Sequence, residues 1–190
     1  MKPGSTGTHQ RPRSNQNNGS RPGNVLQRGR NCKIGRKSYG TVFWDLQGVI
    51  YIDYLEKGKT ITGLYYADLL GRFDAELKKK RPHLAKKKVL FHHDSAPVRT
   101  SAAAMAKLVE LRYELLPHPP YSPDLAPCDF FLFPNLKKSL AGNRYGSNNV
   151  IAATEAYFAE FDKKYFSDGL KKLEHRWALC IVLKGDYVEK

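Results

Sequence analysis

Acidic residues are missing from the first forty positions of this 190-residue chain, although nine Lys and Arg fall there. The same stretch is rich in Gly, Pro, Ser, Asn and Gln, with only scattered apolar side chains such as Val25, Leu26 and Ile34. Such a segment buries too little to offset its ordering entropy. It reads as a disordered basic leader over residues 1–38, suited equally to being a solvated tail or an arm for nucleic acid. Cysteine is scarce as well. Cys32, Cys128 and Cys180 stand far apart with no C-x-x-C spacing, which excludes a zinc ribbon and a disulfide scaffold. No run approaches the roughly 18–20 apolar residues of a membrane span, and the opening MKPGSTGTHQRPR lacks the apolar centre of a secretory signal. H-E-x-x-H, G-x-S-x-G, G-x-G-x-x-G and P-loop patterns are all absent, so metalloprotease, hydrolase-triad, dinucleotide and NTPase readings lose their main support. There is no internal repeat.

What is present is a basic chain with enough apolar material for a core. Lys and Arg number 32 against 18 Asp and Glu, a formal net charge of +14. Hydrophobic residues make up 41% and aromatics 12%, which supports one globular domain over residues 39–190. The composition is that of an intracellular, reduced, soluble protein. Residues 41–55, TVFWDLQGVIYIDYL, are two β-rich runs split at Leu46-Gln47-Gly48, and predict a hairpin. Ile61, Leu64, Tyr65, Leu69, Leu70, Phe73 and Leu77 recur at three- and four-residue intervals, the stripe of an amphipathic helix. Val89–His92 and Tyr113–Leu116 read as short buried strands around an Ala-rich helix at 100–111. Five of the eleven prolines crowd into residues 117–127, where no regular element persists. Helical patterns resume at 129–140, 148–164 and 168–183. Strands followed by strand–helix alternation imply an α/β mixed sheet flanked by helices.

Two aspartates stand out by position. Asp94 emerges just past the carboxyl end of a buried strand, where open α/β sheets place their sites. Asp129 follows the proline-rich loop and opens a helix. Together they could hold a hard divalent cation, which prefers oxygen ligands and can assist phosphoryl displacement. A helix cap accounts for Asp129 equally well, and a turn before Pro97 for Asp94. His92 and His93 are neighbours in a strand and face opposite ways, so they cannot chelate one ion together; His118 has no partner at a recognisable spacing. Lys78, Lys79, Lys80, Arg81, Lys86, Lys87 and Lys88 put seven positive charges in eleven positions ahead of the strand leading to Asp94. They predict sequence-independent attraction for phosphate close to that site.

Several segments carry a resemblance. KKKVLFHHDSAPVRTS (86–101), ELLPHPPYSPDLAPCDFFLFPNLKKSLAG (114–142), TEAYF (154–158) and HRWALCIVLKGDYVE (175–189) together resemble the catalytic domain of mariner-type transposases. FWDLQGVIYIDYLEKGKTITGLYYADLL (43–70) resembles the segment just upstream. The similarity covers about residues 36–190, and the HPPYSPDLAP block is its most specific part. It implies a ribonuclease-H-like fold and an aspartate triad that binds Mg²⁺ or Mn²⁺. Asp94 matches the second catalytic aspartate and Asp129 the third, with the family's spacing of 34 intervening residues. DNA as partner, a homodimer, a nuclear location and no membrane or small-molecule substrate follow from the same resemblance.

Departures from the family pattern shape the remaining expectations. The first catalytic aspartate belongs to a strand upstream of FWDLQG, and residues 1–40 hold nothing resembling that strand or the family's DNA-reading helix-turn-helix. The chain therefore reads as a C-terminal portion of a transposase with its first strand missing and its catalysis lost. Asp45 and Asp53 are the nearest substitutes for the missing carboxylate, but neither follows an appropriate first strand. His93 and Ser95 stand where the family usually has Gln and Asn, and Arg99 where it has His. In some animals a mariner-type domain is fused to a histone methyltransferase, but no SET-domain sequence occurs here. The absent strand is central to the sheet, so either the hairpin pairs directly with residues 89–92 or leader residues between Asn24 and Ile34 fill the gap.

Overall fold

The computed structural model describes residues 25–28, 32–33, 39–56, 58–141 and 147–188. The disorder expected of residues 1–24 lies outside them. Among the described residues six strands form one sheet: β1 (Val25–Arg28), β2 (Cys32–Lys33), β3 (Tyr39–Asp45), β4 (Gly48–Leu55), β5 (Val89–His92) and β6 (Tyr113–Leu116). Helix α1 (Gly63–Lys80) precedes β5, and α2 (Ala102–Glu110) joins β5 to β6. A π-helical turn (Cys128–Leu132) runs into α3 (Phe133–Leu140), followed by α4 (Ser147–Ala159) and α5 (Lys163–Val182).

The central gap is filled. β1 lies antiparallel to β3, pairing Gln27 with Trp44 and Arg28 with Phe43. On its other side it lies parallel to β5, pairing Val25 with Leu90, Leu26 with Phe91 and Gln27 with His92. β6 continues the parallel set, with His92 opposite Leu116. The sheet therefore runs β4-β3-β1-β5-β6, with β2 sharing the β1 edge of β3. Two expectations are corrected by this. The first-strand position is occupied by residues from within Asn24–Ile34, the second of the two alternatives, so the hairpin does not pair directly with β5 and the sheet takes in part of the stretch expected to be a leader. The physical reason is that two interior edges, those of β3 and β5, would otherwise leave backbone N–H and C=O groups unpaired. Pairing on both sides makes a strand of VLQR despite its polar neighbourhood.

The hairpin forms as its turn chemistry predicts. Gly48 closes it at φ 132°, a region that favours glycine. The ladder skips Ile50, so a bulge falls opposite the Phe43–Trp44 step. Alternation along β3 then serves two cores. Phe43 joins Ile50, Leu69, Leu70, Phe73, Phe91 and Leu108 beneath α1 and α2. Val42 and Trp44 join Leu132, Phe133, Phe158, Phe166 and Leu170 in the other. Each of these large side chains contributes about 1.5–3 kcal/mol when fully buried.

Helix boundaries follow local chemistry. Thr62 caps α1 by accepting the Tyr65 N–H at 3.2 Å, and Lys78, Lys79 and Lys80 in its last turn complement the helix dipole. Asp162 caps α5 in the same way, accepting the Tyr165 N–H at 3.1 Å. That cap starts α5 at Lys163, five residues ahead of the expected 168. The helix expected at 129–140 opens instead as a π-helical turn before α3. Pro134, near the start of α3, has no N–H to offer the ordinary i→i−4 ladder.

Candidate metal and nucleic-acid site

The three parallel strands β1, β5 and β6 share one carboxyl edge, and Asp94 leaves the sheet there, two residues past His92. The residue is buried, its side chain 8% exposed. One oxygen, Oδ1, accepts the Ala96 N–H at 3.1 Å and is also gripped by the Arg99 guanidinium. Arg99 is itself buried. Its backbone N–H donates to Ala96 O at 2.8 Å, closing the turn that brings it back to Asp94.

The loop that follows β6 starts at the same edge. Ser95 donates through its hydroxyl to the His118 carbonyl at 2.9 Å, and His92 Nε2 meets His118 Nδ1 at 3.1 Å. His93 faces away from this pair and contacts the Tyr66 hydroxyl at 3.0 Å, as strand alternation requires. His118 thus has a partner 26 residues away, invisible to any spacing rule. Burial, with His118 beside it, pushes His92 down to about 3 from its ordinary 6.5. His92 is therefore neutral in the folded chain, whereas the unfolded chain takes up its proton below about 6.5. Folding stability should fall as pH drops from 6.5 toward 3, by at most about 1.4 kcal/mol per pH unit for this one group. Urea midpoints at pH 7 and pH 5 measure it. The assignment fails if His92→Gln shows the same acid sensitivity as the native chain.

Asp129 sits half-buried on the π-helical turn. That turn is pinned to the sheet where the Trp44 indole N–H donates to Cys128 Sγ at 3.0 Å. Trp44 shares a register row with Gln27, His92 and Leu116. Two cations on α5 flank the turn: Arg176 lies 4.3 Å from the Phe130 ring centroid and Lys172 5.0 Å from that of Phe131. Sequence reading assigned no role to either, since one helical turn separates them from each other but more than forty residues separate them from Asp129.

The substitutes for a first carboxylate are engaged elsewhere. Asp45 lies one step beyond the Trp44–Gln27 pair, toward the amino edge of the parallel strands and away from Asp94. Both its oxygens bind Arg81, at 2.8 and 3.0 Å. Asp53 pairs with Arg72 at 2.7 Å and accepts from the Tyr65 hydroxyl at 2.7 Å. Among the described residues no group of three or more His, Cys, Asp or Glu could hold a metal ion.

The basic cluster also needs relocating. It ends where β5 begins, whereas Asp94 follows where β5 ends, and the strand alone spans roughly 13 Å at about 3.3 Å per residue. Sequence adjacency suggested proximity to Asp94; the extended strand puts the two at opposite edges. Lys78, Lys79 and Lys88 remain exposed while bridging Asp74, Glu76 and Glu114. Lys80, Lys86 and Lys87 are exposed too. Arg81, with its side chain 13% exposed and committed to Asp45, is a structural residue.

A parallel β1-β5-β6 set, an antiparallel β3–β4 hairpin and helices on both faces define a ribonuclease-H-like domain of the DDE transposase type. The profile described as Transposase (partial DDE domain) matches residues 28–87. The solved structure of the Mos1 transposase catalytic domain and Raltegravir with Mn superposes with a TM-score of 0.85 and 34% identity, covering 90% of this chain and 88% of that one. Identity is 38% over 160 residues with the Mariner Mos1 transposase of Drosophila mauritiana, covering 83% of this chain and 46% of the relative. With the histone-lysine N-methyltransferase SETMAR of Homo sapiens it is 32% over 156 residues, or 81% and 23%. The chain belongs to the mariner-type transposase catalytic domains, and it spans less than half the length of these two full-length relatives.

Proposed function

We propose that this chain is a mariner-type transposase domain that binds DNA through its exposed lysines and has lost strand cleavage and transfer. The observation that carries the reading is the composition of β1. VLQR occupies the central strand position, and it brings no carboxylate to the edge where Asp94 emerges. By resemblance the catalytic triad wants one there.

The relatives supply the rest. Mos1 catalytic domains have been solved with Mn and with Mg, and a Mos1 paired-end complex with the left transposon end. Carried over, these support Mg²⁺ or Mn²⁺ as the cation, DNA as the partner and a paired dimer; Asp94 and Asp129 as the residues that would hold the ion, and a nuclear setting, rest on the sequence resemblance alone. Such an ion, when bound, neutralises charge developing on a transferred phosphate. The residues present do not fit a two-metal centre. Asp94 is already compensated by Arg99, and no third acidic group stands with it among the described residues.

Lys78, Lys79, Lys80, Lys86, Lys87 and Lys88 form an electrostatic footprint on the far edge from Asp94. If all six engage phosphates, affinity for any duplex should fall roughly 10³-fold between 50 and 200 mM salt. An active nuclease is the competing reading. Purified protein with Mn²⁺ and supercoiled plasmid, run beside Asp94→Ala and Asp129→Ala, decides between them. Binding without nicking is expected. Nicking by the native chain that disappears in both variants overturns the loss of cleavage, and salt-insensitive binding overturns the electrostatic contact.

A further inference from the structure

We infer that Arg99 acts as a built-in counter-cation for Asp94 and competes with a divalent ion for that carboxylate. The inference rests on the reading of Asp94 as a metal-holding residue and concerns what controls access to it.

Three observations carry it. The Arg99 guanidinium grips Asp94 Oδ1, and the two side chains are only 7% and 8% exposed. A guanidinium does not release its proton at any physiological pH, so the pairing charge is permanent. Both partners also sit on one short turn, fixed by Ala96. The Ala96 N–H donates to Asp94 Oδ1 at 3.1 Å, and Ala96 O accepts from the N–H groups of Arg99 at 2.8 Å and Thr100 at 3.2 Å. The backbone therefore presets the pair, and little side-chain freedom is spent in making it.

A divalent ion approaching Asp94 meets a positive group already seated on one of the two carboxylate oxygens. Binding at that carboxylate either displaces the guanidinium or sets a buried cation beside a second one of higher charge. The metal-free domain gains a neutralised carboxylate, and metal affinity is reduced in exchange. Arg99 is a gating residue here and makes no contact with substrate.

The experiment is a Mn²⁺ titration by calorimetry, with Mn²⁺ electron paramagnetic resonance as an independent readout. It compares the native chain, Arg99→Gln, Asp94→Asn and the double variant. Glutamine keeps a hydrogen-bond donor and removes the charge. Arg99→Gln should bind Mn²⁺ about tenfold more tightly than the native chain or better, and the double variant should lose the gain. Equal affinity in the native chain and Arg99→Gln, both abolished by Asp94→Asn, overturns the gating while leaving Asp94 as a ligand. Mn²⁺ binding indifferent to Asp94→Asn overturns the reading of Asp94 and the gating with it. If Arg99→Gln unfolds without metal, refolding on addition of Mn²⁺ supports the inference. Failure to refold, with the double variant folded, overturns it.

Discussion

Replacing Trp44 with alanine should lower folding stability by about 3–5 kcal/mol, the range for emptying a fully packed aromatic site. Trp44 is entirely buried. It lies 6.3 Å from the Phe131 ring and 5.8 Å from that of Phe166, and its indole N–H reaches Cys128 Sγ at 3.0 Å. The residue thus joins three layers: the sheet, the turn that carries Asp129, and α5. Trp44→Phe keeps much of the ring volume and gives up the N–H donor, so it should cost less than the alanine change. Urea unfolding of both variants ranks them. A loss under 1 kcal/mol for Trp44→Ala would mean that the turn and α5 do not depend on this side chain for their seat.

Asp45→Ala should cost about 3 kcal/mol, the lower end of what a broken buried ion pair removes, because Arg81 retains 13% side-chain exposure. The substitution also takes away the oxygen that accepts the Gln47 N–H at 2.8 Å in the hairpin turn. Most of the loss should vanish when Arg81 is changed too, since the stranded guanidinium disappears with its partner. A double-mutant cycle in urea tests this. Mn²⁺ affinity should not move in Asp45→Ala, because Asp45 points its charge into the pair at the amino edge. A drop in Mn²⁺ affinity with stability unchanged would make Asp45 a ligand and reverse the assignment.

The hairpin, α1 and β5 were legible in the sequence because each carries its own periodic signature. Phe43 and Trp44 alternate between two cores, Leu69, Leu70, Phe73 and Leu77 line one helix face, and Val89–Phe91 is a continuous apolar run. β1 was not legible. Four residues within a polar, glycine-rich stretch become a strand only because β3 and β5 each present an edge, and that condition exists only in the assembled sheet. The candidate site was partly legible. Asp94 and Asp129 stand out by position, and Arg99 by its departure from the family pattern. The pairing of Asp94 with Arg99 was hidden, because a five-residue return around a proline turn has no periodicity to detect. The His92–His118 pair was hidden for the same reason. The lysine cluster is the opposite case: it is close to Asp94 along the chain but not in space, because a fully extended strand lies between them.

The strand at the centre of the sheet separates two kinds of requirement. An interior position asks for N–H and C=O groups at the spacing of its neighbours, and every residue except proline supplies both. A catalytic position asks for one carboxylate at one place, which only two of the twenty residue types can offer. Val25–Arg28 satisfies the first demand in full and the second not at all. The architecture of this domain is consequently far more tolerant of sequence drift at β1 than its chemistry is. On the proposed reading, the reaction is surrendered at that strand while the backbone goes on tracing the same sheet, with Trp44 and Phe91 still seated on either side.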